Sequence, residues 1–167
     1  RGYLNMKSGL AYDQFPGIWN SVYRGSHEER VQRFSDPDLR DQLEADAPEI
    51  DVNDNAKFMS LWHTFRIITV KSEKNKKYAG RLVKDIAEEE GKTPFNALMD
   101  IVVEDDLDTI FMRVDQDRDE KALWKFVADC LRDDRTMWGG DDGGAHLDQL
   151  EAYCHGTQFL IHAVREY

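Results

Sequence analysis

Cysteine is scarce in this sequence: Cys130 and Cys154 are the only two among 167 residues. Their separation does not match the C-x-x-C spacing of metal or redox motifs, and two cysteines cannot build the disulfide framework of a small secreted domain. We therefore expect two packed thiols in a reduced, cytoplasmic protein. The sequence also has no run of about 18 apolar residues and no signal-peptide pattern at its start, so neither a membrane helix nor a secretory leader is predicted.

Basic residues are outnumbered, since 22 lysines and arginines face 33 aspartates and glutamates and give a formal net charge of −11. This charge repels phosphate backbones and anionic lipid surfaces, so neither nucleic acid nor a membrane is an expected partner. The P-loop, dinucleotide-binding and nucleophile-elbow signatures are absent. Hydrophobic residues make up 41% and charged residues 33% of the chain, a balance typical of one globular domain.

Capping residues mark the predicted helix starts. Ser26 followed by Glu29 has the spacing of a capping box, which predicts a helix of about ten residues. Asp36 before Pro37 predicts the start of a second helix, because Asp caps the first amides and Pro is tolerated at the first helical position. Further helices are predicted from 82 to a stop at Gly91, after Thr93, around 123–130 and at 156–166. The aromatic residues Tyr12, Phe15, Trp19 and Tyr23 fall in a predicted loop.

Three short strands are predicted, at residues 65–70, 109–114 and 136–140. Strands that alternate with helices predict an α/β fold with a parallel sheet rather than an antiparallel sandwich. Such a sheet must be covered on both faces, and three strands cannot close an eight-stranded barrel, which typically needs about 250 residues. We therefore expect residues 1–167 to be a single partial domain of a larger protein.

The most informative stretch is residues 139–148, Gly-Gly-Asp-Asp-Gly-Gly-Ala-His-Leu-Asp, directly after the third predicted strand. Functional side chains collect at the carboxyl ends of parallel strands, which makes Asp142 and His146 candidates for chemistry. Gly143 and Gly144 let the backbone come close to a ligand or metal, and a carboxylate there can bind a cation or take a proton from water. The alternative is an acidic turn without a site, because Asp and Gly dominate turns.

Residues 140–146, Gly-Asp-Asp-Gly-Gly-Ala-His, resemble a signature of the N-acyl-D-amino-acid deacylase (D-aminoacylase) branch of the amidohydrolase superfamily. That signature runs glycine, small hydroxyl residue, aspartate, small residue, Gly-Ala-His. Other segments also resemble parts of this branch and follow the same order along the chain. They are residues 16–19 around Trp19, 36–40 from Asp36 to Arg40, Asn75 with the helix at 78–87, and 88–100. The resemblance covers nearly the whole chain but corresponds only to the later part of a family barrel.

The resemblance implies a (β/α)8 TIM barrel, of which this chain would be the last few βα units, and a zinc ion that activates water against the amide of an N-acyl-D-amino acid. Asp142 matches the family aspartate that is a metal ligand or a neighbour of the metal and serves as the general base. His146, Gly143 and Gly144 are predicted to bind the substrate, and for His146 a hydrogen bond that orients the loop or the substrate and a part in the chemistry are both open. Asp141 stands where the family usually has Ser or Thr. The His-x-His pair of the family is absent from these residues, so a fragment is implied, with most zinc ligands and the remainder of the barrel in the parent chain.

Two other functions are consistent with the sequence. One is a catalytically degenerate barrel relative, or a small-ligand binding module whose glycine-rich loop only holds its ligand. The other is an acidic interaction domain without a catalytic site. Tyr12, Phe15 and Trp19 would then form an exposed aromatic patch that binds the partner or, in a truncated barrel, core that the missing strands leave uncovered.

Overall fold

Helices make up most of the structured segments, and two short strands accompany them, so the fold is a mixed α and β one. The computed structural model describes residues 3–9, 12, 15, 17–47, 58–114, 119–137 and 160–165. It divides into a larger unit, Leu4–Val114, and a smaller one made of Arg1–Tyr3 and Asp115–Tyr167. The helices and strands are α1 (Ile18–Val22), α2 (His27–Ser35), α3 (Pro37–Asp46), β1 (Phe65–Thr69), α4 (Val83–Glu90), α5 (Pro94–Glu104), β2 (Ile110–Arg113) and α6 (Glu120–Leu131). Short 3-10 turns lie at Phe58–Ser60, Trp62–Thr64 and Glu73–Tyr78, and a π-helical turn at Leu160–Arg165.

The predicted capping residues begin α2 and α3. The Ser26 hydroxyl accepts a hydrogen bond from the Glu29 backbone N–H over 3.2 Å, and the Glu29 carboxylate accepts one from the Ser26 N–H over 2.8 Å. This reciprocal pair is the predicted capping box. Asp36 caps α3 by accepting from the N–H of Asp38 over 3.0 Å, and Pro37 occupies the first helical position. Both predicted helix starts are confirmed.

The predicted boundary between α4 and α5 is also confirmed. Gly91 ends α4 in the left-handed conformation with φ of 65°, which residues other than glycine adopt at a cost. The Lys92 N–H then donates to the Ala87 carbonyl over 3.0 Å. The Thr93 hydroxyl accepts from the Asn96 N–H over 3.2 Å and caps α5.

The direction of the sheet differs from the prediction. Strands β1 and β2 are found where the sequence predicts them, but they pair antiparallel, with Phe65 opposite Arg113 and Ile67 opposite Phe111. The parallel prediction is therefore wrong for these two strands. The prediction fails because the connection between β1 and β2 contains two helices, α4 and α5, instead of one. A single helix returns the chain to the end where a parallel strand starts, whereas a second helix reverses it once more.

Both outer edges of this two-stranded sheet are partly covered. Leu4 and Phe111 exchange two backbone hydrogen bonds of 2.8 and 3.0 Å beside β2. On the other side, the Ile67 N–H donates to the Arg81 carbonyl over 2.9 Å, and the Gly80 N–H donates to the Ile67 carbonyl over 2.8 Å. The paired edges limit the backbone groups left open to another chain.

Aromatic side chains form the centre of the larger unit. The rings of Tyr12, Trp19 and Trp62 stack with centroids 5.5 to 5.8 Å apart, and the Trp19 indole N–H donates to the Leu43 carbonyl over 3.0 Å. Tyr12, Phe15 and Trp19 are at most 1% exposed. The exposed aromatic patch predicted for an interaction domain is therefore wrong, because these rings are core. Trp19 also lies in α1 rather than in the predicted loop. Other fully buried side chains of this core are Met6, Phe34, Leu43, Phe65, Ile67, Ile86, Phe95, Leu98 and Phe111.

The smaller unit buries little of α6. Asp119 caps this helix by accepting from the Ala122 N–H over 2.9 Å. The apolar stripe predicted on this helix is not buried: Leu123, Val127 and Cys130 are half-buried and Phe126 is 65% exposed, whereas the neighbouring Ala128 is buried. The Trp124 ring stacks on His162 of the π-helical turn at a centroid distance of 5.0 Å. The predicted third strand is not formed at residues 136 and 137, and residues 138–140 lie outside the described ones.

Candidate functional site

The predicted site residues Asp142, Gly143, Gly144 and His146 lie outside the described residues, as does Asp141. Their prediction as metal-binding, catalytic and substrate-binding groups stays a prediction. Among the described residues, polar side chains gather around Asp105, at the turn after α5 and beside the turn between α4 and α5, where a groove also opens.

The first group surrounds the buried carboxylate of Asp105, which is 1% exposed. Its two oxygens accept hydrogen bonds from the backbone N–H groups of Lys71 (3.1 Å) and Ser72 (2.9 Å), from the Asn75 amide (2.7 Å) and from the Thr109 hydroxyl (2.7 Å). A buried carboxylate is costly unless its oxygens are hydrogen-bonded. These four donors meet that need, so Asp105 stabilises the segment after β1 rather than holding an oxygen ready for a ligand.

Asn75 completes this group from the segment between β1 and α4. Its amide nitrogen donates both to Asp105 and, over 2.9 Å, to the Ile101 carbonyl near the end of α5. The side chain is buried. The asparagine that forms part of the family resemblance therefore has a structural role in this unit, since it connects the 3-10 turn Glu73–Tyr78 to α5.

The second group lies at the turn that follows α5. Asp106 and Leu107 have φ values of 57° and 64°, which non-glycine residues seldom adopt. The backbone N–H groups of Asp106 and Leu107 donate to the carbonyls of Val103 (3.0 Å) and Val102 (2.8 Å), and the Leu107 side chain is fully buried. Burial and hydrogen bonding together hold the strained backbone in place.

The carboxylates of this turn contact cationic side chains. Asp108 accepts from the ammonium groups of Lys7 (2.6 Å) and Lys71 (2.8 Å), and Asp106 contacts the His27 ring nitrogen Nε2 at 2.8 Å. Hydrogen bonds from Lys7 and Lys71 lower the pKa of Asp108, and Asp108 in turn raises the pKa of Lys71. All these groups reach solvent, so water and salt screen the contacts and they contribute little to stability.

The third group is a chain of ion pairs beside the turn between α4 and α5. Lys92 donates to Asp100 and to Glu90, each over 2.8 Å, while Asp100 also accepts from Arg40 over 2.6 Å. Glu90 accepts a further hydrogen bond from the Tyr78 hydroxyl. The bonds to Asp100 and Glu90 hold the pKa of Lys92 well above its ordinary value. Lys92 is therefore a fixed cation at neutral pH, which excludes it as a general base or an amine nucleophile.

Burial acts to raise the pKa of Asp100, but hydrogen bonds from Lys92 and Arg40 outweigh it and leave this pKa below its ordinary value. The pKa of Glu90 is lowered by hydrogen bonds from Lys92 and Tyr78. Both carboxylates are consequently ionised at neutral pH. They compensate the charges of Lys92 and Arg40 and leave no carboxyl proton for acid catalysis.

A groove of about 440 Å³ opens next to this chain. Its volume is within the range of small-molecule sites. The polar groups around it are exposed, however, and its cations face carboxylates: the Lys84 ammonium lies 3.9 Å from Glu88, and Lys92 is paired as described. The groove has room for a solute but no buried polar side chain to orient one. Its lining residues are His63, Lys84, Ala87, Glu88, Gly91, Lys92 and Pro94.

No group of three His, Cys, Asp or Glu side chains among the described residues is arranged to hold a metal ion. Cys130 is a free, half-buried thiol. In the part of the chain that the structure describes, every helix is too short or too polar to cross a membrane. Comparison with protein-family models, curated proteins and solved structures finds no significant match to this chain.

Proposed function

We propose that this chain is the later part of a zinc-dependent amidohydrolase of the N-acyl-D-amino-acid deacylase kind, which hydrolyses the amide bond of an N-acyl-D-amino acid. The observation that carries the proposal is the segment 140–146, Gly-Asp-Asp-Gly-Gly-Ala-His, with its similarity to the family signature around Asp142. In this proposal the chain supplies the last βα units of a (β/α)8 barrel, and β1 and β2, which pair antiparallel, lie outside the parallel strands of that barrel. A cytoplasmic location is part of it, since two cysteines without a disulfide spacing suit a reducing compartment.

The upstream segments that share the resemblance support the proposal through their roles in the fold. Arg40 and Asp100 come from two different segments of the resemblance, and their side chains form an ion pair. Asn75 is buried against Asp105, and Trp19 lies in the centre of the aromatic core. The proposal takes these packing contacts as ones that the fold of the family would share.

The proposed chemistry assigns one step to this chain. When bound, a zinc ion lowers the pKa of a water molecule to about 7. Asp142 would accept the proton of the attacking water and deliver it to the departing amide nitrogen, which is the work of a general base and then a general acid. His146, Gly143 and Gly144 would contact the substrate. No group of three candidate ligands is assembled among the described residues, and the proposal takes most zinc ligands from the rest of the parent chain.

The experiment compares Asp142→Asn with Asp141→Asn in the complete enzyme, using an N-acetyl-D-amino acid as substrate and measuring turnover and zinc content together. We expect Asp142→Asn to lower kcat by at least about a hundredfold, the low end for loss of a general base. Asp141→Asn makes the same chemical change one position away and should keep turnover within a few-fold of the parent. Normal turnover of Asp142→Asn with zinc bound would exclude Asp142 as the base, whereas an inactive parent that binds the substrate would favour the degenerate relative or binding module.

A further inference from the structure

We draw no further inference here: the strongest candidate, the apolar surface that Phe126 of α6 and Leu160 and Val164 of the π-helical turn expose, carries none because nothing in the described residues shows what covers it.

Discussion

Arg40 on α3 donates a hydrogen bond from Nη1 to Oδ1 of Asp100 on α5 over 2.6 Å. The guanidinium is nearly buried, with 10% of the side chain exposed, whereas 42% of the Asp100 side chain reaches solvent. Arg40 also donates from Nε to the Phe34 carbonyl at the end of α2. One buried cation thus connects three helices, and its charge is compensated from the solvent side.

Asp100→Asn should lower the free energy of unfolding by about 2 kcal/mol, within the range for a hydrogen bond to a charged group. The amide keeps the shape of the carboxylate but leaves the Arg40 guanidinium without its counter-charge. Urea unfolding followed by circular dichroism measures the change. Asp85→Asn on α4, an exposed position, is the matched control and should stay within about 0.5 kcal/mol of the parent. Equal effects of the two substitutions would contradict the role given to Asp100.

Asn75→Asp tests the buried carboxylate of Asp105. The substitution preserves the shape of the side chain but places a second carboxyl group 2.7 Å from Asp105. Two carboxylates at so short a distance cannot both stay ionised without a large cost in free energy. One of the two is expected to have a raised pKa in the folded variant. The carboxyl group with the raised pKa contributes stability while it is protonated. This contribution is complete below the pKa of about 3.9 that the group has in the unfolded chain, and it is lost as pH rises through the pKa of the folded variant.

The variant should therefore be much less stable than the parent at pH 7 and recover part of the difference near pH 4. The quantity to measure is the difference in free energy of unfolding between variant and parent at both pH values, because this subtraction removes acid effects common to both. A difference that is the same at pH 4 and pH 7 would show that Asn75 and Asp105 do not interact in the folded protein.

Tyr12 provides a test at alkaline pH. Burial, with a smaller contribution from Tyr23, raises the pKa of Tyr12 well above its ordinary value. The contribution of the neutral phenol to stability is complete below the unfolded pKa of about 10 and is lost as pH rises through the folded value. Tyr12→Phe should keep the stability of the parent at pH 7, since the contact that the described residues offer the hydroxyl is a long one, 3.5 Å to the Met59 carbonyl.

Above pH 10 the parent should lose more stability than Tyr12→Phe, and the excess is the effect of ionising Tyr12. Denaturant midpoints at pH 8 and pH 11 give this comparison, and tyrosinate absorbance near 295 nm gives the ionisation itself. Tyr78→Phe serves as a control for loss of a different hydroxyl. Parallel loss of stability in the parent and in Tyr12→Phe would contradict burial of the phenol.

Features encoded by neighbouring residues were the ones predictable from the sequence. The capping box at Ser26 and the helix end at Gly91 each depend on atoms within a few residues, so both can be predicted without knowledge of the tertiary structure. The positions of β1 and β2 were predictable for the same reason. Their direction was not, because it depends on how many reversals the intervening helices make.

Long-range contacts account for what sequence reasoning missed. Aromatic residues spaced among polar ones, as around Tyr12 and Trp19, are typical of a loop until Trp62 and Phe95 are brought against them. Asp105 has no local feature that distinguishes it from Asp106 or Asp108, since its donors come from a segment at least 30 residues earlier and from Thr109. The prediction at Asp142 concerns residues outside the described ones and awaits the turnover measurement.

The reciprocal backbone bonds between Leu4 and Phe111 have a consequence for handling the protein. Without Leu4, the N–H and carbonyl of Phe111 would offer a template for strand addition by neighbouring molecules, the route by which unprotected edges lead to aggregation. Leu4 thus shields this position of β2. A shortened version without Leu4 would need a substitute, such as a lysine or proline introduced on that strand, to stay monodisperse at high concentration.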